Sequence, residues 1–188
     1  MNSTVNTAVT ITAGALGGGA AAPANSANPG NSADRAIKRQ RVLDILDESG
    51  RDSLLLTTNT ALTWFLDGSR VHISLAGDPI AAMLVDRDGD HLVTYNNEAA
   101  RISAEELPDG VALHTVPWHG HLHAAAAMLA PGGNPLAESE VTAELRTARQ
   151  QFLPGESARY ARLCAETAAA LTDVLSEATP ETTEFGVA

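Results

Sequence analysis

Apolar positions along this 188-residue chain change period several times, and those changes mark its elements. From Asp34, a candidate N-cap, Ile37, Val42, Leu43, Ile45 and Leu46 form a stripe that predicts a helix ending at Gly50, where glycine accepts positive φ. Ser53-Leu54-Leu55-Leu56-Thr57 is a compact apolar run, the pattern of a strand covered on both faces, and so an α/β signal. Thr58 and Asn59 cap a short helix carrying Ala61, Leu62, Trp64, Phe65 and Leu66. The chain then turns at Asp67-Gly68, and Arg70 to Leu75 is the next predicted strand, broken by Gly77-Asp78-Pro79.

Ile80 to Val85 and His91 to Tyr95 flank Asp86-Arg87-Asp88-Gly89-Asp90 and predict a hairpin, with Asp-Gly supplying the left-handed residues of a tight turn. The same acidic loop fails as a calcium loop. Counted from Asp86, His91 stands where glycine is needed and Asn97 where a bidentate glutamate is needed. A short helix near Glu98 to Glu106, a strand from Val111 to Val116, and a helix from His119 to Ala130 stopped by Pro131-Gly132-Gly133 follow. The last third is helical, from Glu140 to Gln150 and from Glu156 to about Ala178. In the second of these helices Tyr160, Cys164, Ala168, Leu171 and Leu175 make a stripe that needs a partner surface. Thr183 caps the start of a further helix.

Composition narrows the class. Of 83 hydrophobic residues 34 are alanine, and the remaining 49 suffice for one ordinary domain. Residues 1–33 carry no charged side chain and are rich in Ala, Gly, Asn, Ser and Thr, which predicts a disordered tail. Gly17, Gly18 and Gly19 lack the flanking strand and helix of a phosphate-binding loop, and the basic-then-apolar order of a secretory signal is not met. The net charge of −11, with its only basic cluster at Arg35, Lys38, Arg39 and Arg41, argues against nucleic acid as a partner. No apolar window is long enough to cross a membrane. The single Cys164 excludes an internal disulfide and suits the cytoplasm.

Candidate chemistry is sparse. His114, His119, His121 and His123 crowd one stretch; on a strand the last three would share a face, on a helix His119 and His123 would be neighbours one turn apart, and either could hold a metal. The plainer reading is the exposed start of a helix after Pro117-Trp118, with no carboxylate or cysteine nearby to complete a site. Cys164 lies on an apolar stripe, where a thiol packs as a small hydrophobe, and no Gly-x-Ser-x-Gly elbow exists. Trp64 beside the Asp67-Gly68 turn could wall a binding site, with Arg70 clamping a carboxylate. The plainer readings are a core tryptophan and a solvated strand end. No catalytic or metal-binding residue is assigned.

Taken in order, three segments resemble the family of creatinase, prolidase and Xaa-Pro aminopeptidase. Asn59 to Gly68 resembles its Asn-x-x-Tyr-Leu-Thr-Gly segment, with Trp64-Phe65-Leu66-Asp67 departing from it. Arg149 to Glu156, with Pro154 between them, resembles Arg-x-x-Lys-x-Pro-x-Glu, with Phe152 in place of lysine. Pro180 to Glu184 with Val187-Ala188 resembles Pro-Gly-x-Thr-Glu-x-x-Ile/Leu-Ala, with Glu181 in place of glycine.

The resemblance implies a three-layer α/β/α creatinase-type N-terminal domain around a mixed sheet over residues 34–140. Residues 141–188 would then be a linker and the first helices of a truncated pita-bread metallopeptidase domain. It implies two divalent ions, manganese, cobalt or zinc, held by two aspartates, one histidine and two glutamates that all lie downstream of Thr-Glu. This chain would therefore hold no cofactor and be inactive alone. As the non-catalytic portion of a dinuclear hydrolase acting on a peptide or small amide, it would serve subunit pairing in a homodimer and active-site access, where Trp64 and Arg70 would act. The rival expectation is a stand-alone interaction module with the same fold, whose acidic surface favours basic partners. A third is a small metal-binding protein using the histidines around His121.

Overall fold

The computed structural model describes residues 12–13, 32–74 and 76–187. The chain divides into two compact units, 1–150 and 151–188.

The first unit is built on a mixed six-stranded sheet of order β1-β5-β4-β3-β2-β6. Its strands are β1 (Thr12–Ala13), β2 (Ser53–Leu56), β3 (Ala81–Asp86), β4 (Asp90–Tyr95), β5 (Val111–Val116) and β6 (Leu136–Ala137). β3 lies antiparallel between β2 and β4, β4 runs parallel to β5 and β2 parallel to β6, and β1 closes the β5 edge antiparallel. Every residue of β3 is buried, as a central strand covered on both faces requires.

Alternation along the strands divides the core in two. Met83, Val85, Leu54, Leu56 and Leu92 join Val42, Ile45 and Leu46 of α1 (Ser32–Ser49), Leu62 and Phe65 of α2 (Asn59–Phe65) and Leu145 of α5 (Thr142–Arg149). On the other face Ala82, Val93 and Val116 meet Leu122, Ala125 and Ala126 of α4 (Leu122–Met128). Helices on both faces make the three layers, so the α/β/α architecture with a mixed sheet is the one observed. α5, placed by sequence in the segment after residue 140, packs within the first unit: Leu145 is fully buried and Arg41 donates to the Ala148 carbonyl at 2.5 Å.

Several sequence expectations are corrected. Arg70 to Leu75 is not a strand across its described residues, and Leu75 itself lies outside them. Only Val71 is fully buried there, its carbonyl accepting from Ile80, while Ile73 is exposed. α1 starts at Ser32, so Asp34 lies in its first turn, and Ile37 is exposed. The inward line is Asp34, Lys38, Val42, Ile45 and Leu46, and Lys38 can occupy it because it meets Asp67 there.

The hairpin forms, but Gly89 does not have positive φ. Its turn is held instead by Asp86 Oδ1, which accepts the N–H groups of Asp88 and Gly89 at 2.8 Å each. The segment 98–106 is a short helix, α3 (Ala99–Arg101), running into a π turn over Ile102–Glu106. α4 begins only at Leu122, leaving His119 and His121 outside the helix. The stretch read as a tail contains β1; its glycine cluster lies outside the described residues.

In the second unit, α6 (Pro154–Glu177) enters with proline at its first turn, where no N–H is missed, and Glu156 accepts from the Leu153 N–H at 2.9 Å. No residue of α6 is buried, and Tyr160, Leu163, Leu171 and Leu175 are all exposed. Cys164 is exposed as well, correcting its assignment as a packed thiol. Thr183 Oγ1 accepts from the Gly186 N–H at the start of α7 (Glu184–Val187), as its capping role predicts.

Candidate functional site

The turn after α2 separates the two candidate residues, Trp64 in the last turn of α2 and Arg70 beyond the closure. Gly68 donates to the Thr63 carbonyl at 2.8 Å and Asp67 to that of Trp64 at 3.2 Å, a Schellman closure that places Asp67 at φ 57°. That position ordinarily takes glycine or asparagine. Here aspartate is used because its carboxylate reaches the Lys38 ammonium of α1 at 2.6 Å, inside the protein.

Two residues on, the chain is tied to Glu106 at the end of the π turn. The buried Glu106 carboxylate accepts from the Arg70 N–H at 2.7 Å and from Arg70 Nε at 2.8 Å, with Arg101 Nη1 at 3.7 Å. Ser69 Oγ sits 2.6 Å from the Glu106 carbonyl. Arg70 therefore lies at the end of a turn rather than a strand. Its inner edge is fixed by Glu106, its outer Nη2 lies 3.9 Å from the Glu105 carboxylate, and its side chain is 68% exposed, so the guanidinium is oriented between two carboxylates of its own chain. Trp64 is half-buried against the first core cluster, consistent with its packing reading. Nothing in the sequence singles out Glu106, which reads there only as the end of a short helix.

The basic cluster of α1 is engaged within the fold. Arg35 and Arg39 both pair with Asp90, Arg39 Nε at 3.0 Å from Asp90 Oδ1, and Lys38 and Arg41 are engaged as described above. Burial pushes the Asp90 carboxyl above the usual aspartate range, although both guanidinium groups pull it down.

Among the described residues no three His, Cys, Asp or Glu side chains group to hold a metal ion. His119, His121 and His123 do not make such a site. Among the described residues no grouping of His, Asp and Glu fits a two-metal cradle. His114 departs from that stretch altogether, meeting His91 of β4, 23 positions earlier.

The sequence matches no protein-family model and no curated protein. Among solved structures, the chain shares its fold with Xaa-Pro peptidases. The Xaa-Pro dipeptidase from Bacillus anthracis is similar over 81% of this chain and 46% of its own, at TM-score 0.53 and 14% identity. The prolidase from Pyrococcus horikoshii OT3 is similar over 80% and 46%, at TM-score 0.52 and 15% identity. The chain thus spans just under half the length of these structures, and at such identities the likeness is one of fold.

Proposed function

We propose that this chain is the N-terminal, non-catalytic portion of a Xaa-Pro aminopeptidase- or prolidase-like dinuclear metallohydrolase, serving subunit pairing in a homodimer and access to the active site. The substrate of the whole enzyme is a peptide or small amide, cleaved in a catalytic domain that binds two manganese, cobalt or zinc ions. Residues 34–140 correspond to the creatinase-type N-terminal domain, and α6 to the opening of the catalytic one. The exposed thiol of Cys164 fits a reducing, cytoplasmic setting. At the entrance, the oriented Arg70 guanidinium and Trp64 would act on substrate access.

The observation that carries this reading is α6. A 24-residue helix whose apolar stripe has no buried member is built to be covered by more protein, and the fold it belongs to occupies only 46% of the prolidase chain. The test is to read the frame beyond codon 188 and express the longer product. An EDTA-sensitive Xaa-Pro peptidase supports the reading; a frame without the Asp, Asp, His, Glu, Glu ligand series overturns it.

A further inference from the structure

His91 and His114 are far apart in sequence and are brought together by the parallel pairing of β4 and β5. In register, His91 stands beside Ala112 and Val93 beside His114, so the four side chains share one face of the sheet and the two rings meet diagonally. His91 Nδ1 lies 3.2 Å from His114 Nε2, with ring centroids 5.3 Å apart. Two imidazoles bound to one tetrahedral ion at ordinary zinc–nitrogen distances have ligating nitrogens about 3.3 Å apart and centroids about 5.2 Å apart. We propose that His91 and His114 form a binding site for a single late first-row divalent transition-metal ion, of the copper or zinc type, that ties β4 to β5.

The surroundings suit that role. Asp86 Oδ2 lies 3.6 Å from His91 Nε2, on the far side of the ring, where a carboxylate favours the tautomer that leaves Nδ1 with its lone pair. Asp86 is held in place by the two turn N–H groups it accepts. Burial and the neighbouring His91 charge both disfavour the protonated form of His114, and a metal ligand must be neutral. With His91 Nδ1 unprotonated, the contact in the metal-free protein is a hydrogen bond donated by His114 Nε2–H, and an entering ion takes the place of that proton, which is released or moves to the unpartnered His114 Nδ1. The His91 side chain is 28% exposed, which admits an ion from solvent. No third protein ligand converges among the described residues, so water completes the coordination. Imidazole ligands favour the late metals, and copper(II) binds most tightly of the divalent series.

The test is calorimetric titration of the full chain with copper(II). One stoichiometric step is expected, lost in His91→Asn and in His114→Asn, weakened about tenfold in Asp86→Asn, and kept in the triple variant His119→Asn/His121→Asn/His123→Asn. A second measurement needs no variant: in the unaltered chain, substoichiometric copper(II) should broaden the NMR signals of His91 and His114 before those of the three loop histidines. Absence of a stoichiometric step, its survival in both single variants, or earlier broadening at the loop histidines overturns the proposal.

Discussion

Lys38 Nζ donates to Asp67 Oδ1 at 2.6 Å with the two side chains only 1% and 2% exposed, joining α1 to the left-handed residue that closes α2. A pair this deep must offset the desolvation of both charges, and loss of one partner strands the other in the interior. Lys38→Met should therefore cost about 3 to 5 kcal/mol, read as the shift in urea unfolding. Lys38→Met/Asp67→Asn should recover much of that loss, since asparagine tolerates the left-handed backbone.

Glu106 gives a second stability prediction. Its carboxylate holds the Arg70 N–H and Nε, so Glu106→Ala leaves a part-buried backbone donor and loses two charge-assisted bonds, costing about 2 kcal/mol. Arg70→Ala should cost less, because most of that side chain is exposed and Glu106 keeps the backbone N–H and Arg101 nearby. Equal losses in the two variants would place Arg70 as a structural residue only.

Acid sensitivity follows from His114. Burial, and then the His91 charge, hold its pKa below the usual histidine value of about 6.5. The unfolded chain therefore binds a proton that the folded chain resists. The stability contributed is complete above the unfolded value and is lost as pH falls through the lower folded one. Urea midpoints measured stepwise from about pH 7.5 to 5 should fall, and fall less in His114→Asn. Asp90 acts with the opposite sign: its raised pKa contributes stability below the ordinary aspartate range that is lost as pH rises through the folded value.

The α6 stripe separates exposure from function. Leu171→Lys and Leu175→Lys should each change the stability of this chain by no more than about 0.5 kcal/mol, since both residues are exposed. In a longer product carrying the proposed catalytic domain, the same changes should lower the melting temperature by several degrees. Insensitivity there would mean that the stripe meets no further domain.

Much of the fold was legible where one period repeats for long enough, whether the face it marks is buried, as in the sheet, or exposed, as in α6. The apolar run at β2, the hairpin partners β3 and β4, β5, and the long stripe of α6 each repeat one pattern over enough residues to specify an element. Legibility failed where a distant charge decides the local structure. Lys38 takes the inward position on α1 that an apolar count assigns to Ile37, because Asp67 awaits it. Arg70 to Leu75 has the composition of a strand, yet its first N–H is spent on Glu106. The turn at Asp86 is closed by a side chain rather than by glycine φ. Crowding along the sequence directed attention to His119–His123, whereas strand register pairs His114 with His91.

Proline release tests most directly whether this chain is an accessory unit without hydrolytic ligands of its own. The purified chain, incubated with manganese(II) and a Gly-Pro dipeptide, should release no proline above the rate of buffer alone. Proline release that EDTA abolishes and manganese(II) restores would contradict it.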